Sequence, residues 1–343
     1  MGEDDENKFQ INKYRSNSLV RVGDLISISQ KILTYSDKIT SQHWDWWNGL
    51  SDIWKKIFNA EIGKFDEYVE DEVRPSDFSA DYIYLNGITD TPNQTELIRI
   101  LHLERIEYSD DLEVHFDELV DISPLSELKH LKVLYCDGNK ISDFTPLLSC
   151  PTFTCLRCSF NEFNDLSTIG LMKNLTELDC SACSHEVAYG ISDLSPLGKL
   201  TNLKILKCSL NEVDDLSPLR ELRNLTHLDV SNNEVGDLSP LCDLSNLEVL
   251  VCSYNKNISY LTPLKNLTNL SELQCSWCNI SELSALSGLK GLTWLDVGGK
   301  YITDLSPLYN LRKLEYVGYG GNPILNLDRT KFPLFCYLDD EIF

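Results

Sequence analysis

Along the middle of the chain, apolar residues recur in a fixed order that repeats. In the stretch NLTHLDVSNNEVGDLSPLCDL, Leu225, Leu228 and Val230 are followed by Val235, Leu238, Leu241 and Leu244. The same columns start at Leu131, Phe153, Leu175, Leu203, Leu225, Leu247, Leu270, Leu292 and Leu314, mostly 22 residues apart. The interval before Leu203 is longer, at 28. A less regular copy is expected to start at Leu97 (LIRILHLERI) and rejoin the pattern at Leu119. A fixed period of this length marks a solenoid, in which each unit buries its apolar face against its neighbours.

Each column has a physical reason. Around Leu228 the spacing alternates, which predicts a short strand with Leu228 and Val230 inward and His227 and Asp229 outward. Asn233 follows where the chain must turn, and its amide can satisfy backbone groups of an adjacent coil. Ser239-Pro240 predicts a short 3₁₀ turn, since proline fixes φ and removes a donor. So short a unit has no room for a long outer helix. Strands therefore stack in parallel on one side and compact turns on the other, and the unequal widths curve the stack.

The residues NLxxLxxSxNxxxDLSPLxxL resemble the short leucine-rich repeats of the phosphatase-regulator subclass, also found in bacterial internalins. The resemblance covers about residues 97–325. It implies an α/β repeat solenoid, a curved right-handed superhelix of strands and 3₁₀ turns with a parallel concave sheet that binds protein. Residues 1–15 are expected to form a polar tail and 16–96 a mainly helical N-terminal cap. The solenoid of about 9–10 repeats spans 97–325, and 326–343 form a C-terminal cap. In the N-terminal cap, Val20, Leu25, Ile26, Ile32 and Leu33 suggest one helix. Trp47, Leu50, Trp54 and Phe58 suggest a second that packs on the first coil.

Cysteines raise the question of metal or redox chemistry. Cys180 and Cys183 lie three apart with His185 close behind, and Cys275 and Cys278 repeat the spacing. However, Cys136, Cys158, Cys180, Cys208, Cys252 and Cys275 share the inward column of Val230, and Cys183 and Cys278 share the column of Asn233. The spacing is inherited from the repeat, and cysteine serves there as a small buried hydrophobe with a weak donor. Cys155 alone is expected to offer an exposed thiol. The long third interval contains SHEVAYG, whose His185, Glu186 and Tyr189 are expected to project as a loop at the rim.

No motif for nucleotide, zinc-protease or serine-hydrolase chemistry occurs, so a non-enzymatic protein without cofactor or metal is expected. The net charge of −23 argues against nucleic acid and anionic membranes and favours a basic or mixed-charge protein partner. With an acidic, polar start and 12 cysteines, the chain is expected to be a cytoplasmic protein with reduced thiols, and a monomer. The expected binding residues are the outward columns Tyr135, Arg157, Asp179, Lys207, His227, Asp229, Glu272, Gln274, Trp294, Asp296 and Tyr316, with Tyr254 and Trp277 nearer the rim. A third outward column of serine and glycine is expected to leave that face open. The leading expectation is a protein-binding scaffold, such as an inhibitor or immunity-like protein. A regulatory subunit of a phosphatase or other enzyme is the alternative, and a metal-binding or thiol-redox protein is a third.

Overall fold

A computed structural model describes residues 41–51, 54–55, 57–58, 105–107, 119–182, 190–325 and 327–341. The tail, the first predicted helix, Cys183 and the insertion residues His185, Glu186 and Tyr189 lie outside the described residues.

Eleven three-residue strands form one parallel sheet in strict sequence order, from Arg105–Glu107 to Tyr337–Asp339. Successive coils are in register column by column: Leu206 pairs with Leu228, and Leu228 with Leu250. From Val133–Tyr135 to Tyr337–Asp339 the central residue of each strand is buried, and most flanking ones are partly exposed, as alternation requires. Opposite the sheet, Ser-Pro-Leu segments such as Ser217–Leu219 and Ser239–Leu241 form 3₁₀ turns with proline in the first turn. The leucine columns between the two sides merge into one continuous core.

One set of polar side chains ties successive coils together, and a second closes the turn within each coil. Asn233 donates to the carbonyls of Cys208 (2.9 Å) and Val230 (3.1 Å) and accepts from the amide of Val213 at 2.8 Å. Asn255 repeats this one coil later, with Val230 and Cys252 as acceptors. These side chains satisfy backbone groups that turns would otherwise bury unpaired. On the other side, Asp215 Oδ1 accepts the Ser217 amide at 2.7 Å and Oδ2 accepts its hydroxyl at 2.7 Å. Asp143 and Asp304 make the same pair of bonds to Thr145 and Ser306. The aspartates before Ser-Pro thus close Asx turns that enter the 3₁₀ segments.

The cysteine column is part of the core. Cys158, Cys180, Cys208 and Cys252 are fully buried, and the Cys158 thiol donates to Asp179 O at 3.3 Å. Cys278 takes the role of the missing asparagine, donating to Cys252 O at 3.4 Å. Burial pushes the Cys278 thiol up to about 11 and raises Cys208, Cys252 and Cys275 as well.

Four expectations need correction. The first strand is Arg105–Glu107, with Ile106 opposite Leu134, so the repeat column falls at Leu103 rather than Leu97. LIRILHLERI offers the apolar spacing twice, and strand pairing uses the second. Cys155 is buried, at 6% exposure, although it stands in an outward column. Val133 and Glu177 flank it in register, and Arg157 bridges the neighbouring strands beside it. The serine column is open only in part: Ser159, Ser253 and Ser276 are buried, whereas Ser181, Ser209 and Ser231 are half-exposed. Finally, the C-terminal segment is more than a cover, because Tyr337–Asp339 adds a strand beside Tyr316–Gly318.

At the N-terminal end, Trp47 in the helix Ser41–Gly49 and Leu50, Trp54 and Phe58 after it are buried. The Trp54 indole donates to Asp121 O at 2.8 Å, which ties this region to the first regular coil. Among the described residues, no helix is long and apolar enough to cross a membrane.

Candidate functional site

After the seven strands from Val133–Tyr135 to Glu272–Gln274, and again after Tyr316–Gly318, the chain turns through a single position with positive φ. Gly138 and Gly321 occupy it at 69° and 77°, and Asn232 at 52°. These residue types tolerate the left-handed region. In four coils the position carries a large apolar residue instead: Phe160 (55°), Leu210 (56°), Tyr254 (61°) and Trp277 (58°). A bulky side chain there costs about 1–2 kcal/mol. Burial does not offset that cost for Phe160, Leu210 and Tyr254, which are 44%, 53% and 45% exposed. Four strained, rim-facing hydrophobes on one side of the sheet are the strongest sign of a working surface.

The alternation of the column in the sequence (Gly138, Phe160, Ala182, Leu210, Asn232, Tyr254, Trp277) discloses the backbone requirement. Hydrophobicity alone marks the aromatics as outward but misses the strain.

The concave columns divide into two halves. In the N-terminal half the predicted residues engage one another. Arg157 Nε donates to Glu177 Oε1 at 2.8 Å, while its guanidinium carbon lies 4.3 Å from the centre of the Tyr135 ring. Lys207 Nζ is 4.0 Å from Asp179 Oδ2, and Asp179 Oδ1 also accepts the Ser159 hydroxyl at 2.7 Å. Further along, Asp229 accepts from the Ser231 hydroxyl at 2.6 Å, and His227 Nδ1 lies 2.9 Å from Thr226 Oγ1.

In the C-terminal half aromatic rings dominate. Trp294 and Tyr316 stack at 4.0 Å between centroids, and Tyr337 of the last strand stacks on Tyr316 at 6.0 Å. Tyr316 is therefore partly covered by the cap, and its hydroxyl donates to Asp339 Oδ2 at 3.0 Å. Burial, helped by that bond to a carboxylate, raises the Tyr316 phenol well above its usual range. Trp294 keeps 39% of its surface exposed. On the rim, Tyr254 and Trp277 form a second stack at 6.2 Å, with Lys300 Nζ 5.8 Å from the Trp277 ring. Gln274 donates to Glu272 Oε1 at 2.6 Å, and Asp296 Oδ1 accepts the Gly298 amide at 3.0 Å. A groove of about 230 Å³ opens among Tyr254, Trp277, Gln274, Asp296 and Tyr316, so these predicted residues are brought together.

Among curated proteins, none matches the chain in sequence. The family model for two copies of the leucine-rich repeat matches residues 223–266. Among solved structures, the functional domain of InlJ from Listeria monocytogenes, which includes a cysteine ladder, is similar with a TM-score of 0.55 and 25% identity. That alignment covers 68% of this chain and 48% of that one. A leucine-rich-repeat protein of Leptospira interrogans is similar in fold, with a TM-score of 0.52 and 20% identity over 69% of this chain and 71% of that one. Internalin C2 of L. monocytogenes aligns at 28% identity and a TM-score of 0.47, over 64% of this chain and 82% of that one.

Proposed function

We propose that this leucine-rich-repeat protein is a non-enzymatic scaffold that binds a basic or mixed-charge protein partner with its concave face, centred on the aromatic C-terminal half, and with the strained rim that runs alongside both halves. Curved solenoids of this kind present extended concave surfaces for recognition. The observation that carries the proposal is the strained rim column. Phe160, Leu210, Tyr254 and Trp277 stand where glycine or asparagine would be at ease, and three of them face solvent. None of the four belongs to the buried core. Aromatic side chains are favoured as interface anchors, and the exposed Trp294 stack extends the same surface.

Charge favours the choice of partner. The chain carries −23, and Asp229, Glu272 and Asp296 lie in the outward columns of the aromatic half. Within this proposal the protein works as a monomer in the cytoplasm. An inhibitor or immunity-like protein would act by covering a basic working surface of its target.

A photo-cross-linking residue tests the proposal when placed at Trp294 and, separately, at Leu171, which is exposed on the turn side. Expressed in cells of its source, the Trp294 derivative should form a discrete adduct with another protein and the Leu171 derivative should not. Equal labelling from both positions, or none from Trp294, would exclude the concave face.

A further inference from the structure

The two halves of the concave face differ in how they balance charge. Arg157 answers Glu177 and lies over Tyr135, so one cation satisfies a carboxylate and an aromatic ring together. Lys207 stands near Asp179. From His227 onward the same two columns hold Asp229, Glu272 and Asp296 and contain no lysine or arginine. Among the described residues none of these three acids is in an ion pair.

The groove lies in this unbalanced stretch. Stacked Tyr254 and Trp277 line it on the rim, and Tyr316, Asp296 and Glu341 also line it. Glycines make the space. A methyl group added at Gly318 would come within 2.9 Å of both Asp296 Oδ1 and the Tyr316 hydroxyl. The groove also contains an unmet hydrogen-bonding demand. Ser276 lines it at 6% exposure, and its buried hydroxyl has no hydrogen-bond partner among the described residues. Gln274 presents an acceptor as well, because its amide nitrogen is committed to Glu272 and its carbonyl oxygen remains.

We propose that this groove receives an arginine side chain from a basic segment of the partner, with the guanidinium paired to Asp296 and set against the Tyr254–Trp277 wall. The proposal rests on the concave-face function above and specifies its central contact. Arginine fits better than a point charge. It offers five donors in a plane to acceptors on several sides and stacks on aromatic rings, as Arg157 already does within the chain. A protein segment fits better than a free polyamine, because exposed Trp294 and the strained rim beside the groove need a macromolecule to cover them.

The test uses the full chain and a fluorescently labelled peptide, Gly-Arg-Gly-Arg-Gly-Arg-Gly, followed by anisotropy at about 0.15 M salt, where exposed charges are already screened. The comparison ligands are the same peptide with citrulline for arginine, which keeps the shape and removes the charge, and spermine. The proposal expects the arginine peptide to bind at least tenfold tighter than the citrulline peptide. Asp296→Asn should weaken it about tenfold and Gly318→Ala at least as much, whereas Asp243→Asn, an exposed charge loss outside the groove, should leave it unchanged. Melting curves confirm that each variant is folded. Equal binding of the citrulline peptide, equal effects of Asp296→Asn and Asp243→Asn, or spermine binding as tightly as the arginine peptide would overturn the proposal. If the arginine peptide fails while Trp294 still cross-links a protein, the groove assignment falls and the broader function stands. Loss of both overturns both.

Discussion

Trp294 and Tyr316, neighbours in register on adjacent strands, lie face to face with ring centroids 4.0 Å apart and planes 15° from parallel. The pair sits outside the leucine core, so its contribution to folding is limited to the contact itself. A double-mutant cycle with Trp294→Ala and Tyr316→Ala should give a coupling of about 1 kcal/mol in denaturant unfolding. A coupling near zero would mean that the rings are held apart in solution.

The strained rim separates stability from function. Leu210 occupies a position where Asn232 stands one coil later. Leu210→Asn should raise the unfolding free energy by about 1 kcal/mol, because asparagine tolerates the left-handed region and an exposed leucine does not. Thermal and urea unfolding measure this directly. A destabilised Leu210→Asn protein would show that the leucine supports the fold.

Acid stability reports on the turn aspartates. Bonds from the hydroxyl and amide of Ser217, Ser239 and Ser306 hold the carboxyls of Asp215, Asp237 and Asp304 below the usual 3.8. A carboxyl depressed on folding stabilises the native state fully above its unfolded value and ceases to do so as pH falls through the folded value. The urea midpoint should therefore drop as pH is lowered below about 4. It should drop less steeply in the triple variant Asp215→Asn, Asp237→Asn, Asp304→Asn. Parallel pH profiles would remove these turns from the acid response.

Thiol chemistry should follow burial. Cys242 is exposed, while Cys208, Cys252 and Cys275 are buried with raised thiols. The thiolate is the reactive species, so a thiol reagent at pH 8 should label Cys242 in the native protein and reach those three only after unfolding. Peptide mass spectrometry reads the sites. Rapid native labelling of Cys275 would contradict its place in the core.

The fold was legible because one set of columns recurs, so each inference could be checked against its copies. Asn233 and Asn255 do the bridging that their position implied, and Cys278 shows that a thiol can stand in at that column. The period was less informative where the sequence offered two registers, as at Leu97 and Leu103, since strand pairing made the choice. Exposure is not legible at Cys155 and Ser276, because alternation says which way a side chain points but not what its neighbours cover. The aromatic half of the site was readable from Trp277, Trp294 and Tyr316. The groove itself depends on which side chains are missing, at Gly298 and Gly318, and on a strand that Tyr337–Asp339 adds beyond the regular repeat.

The central claim is that the aromatic half of the concave face and its rim hold a protein partner. Its most direct test is quantitative capture of cellular proteins on the immobilised chain. The comparison is among wild type, the folded double variant Trp277→Ala/Trp294→Ala, and Leu171→Ala as a turn-side control. A defined partner should be retained by wild type and Leu171→Ala and lost from the double variant. Retention of the same partner by all three would contradict it.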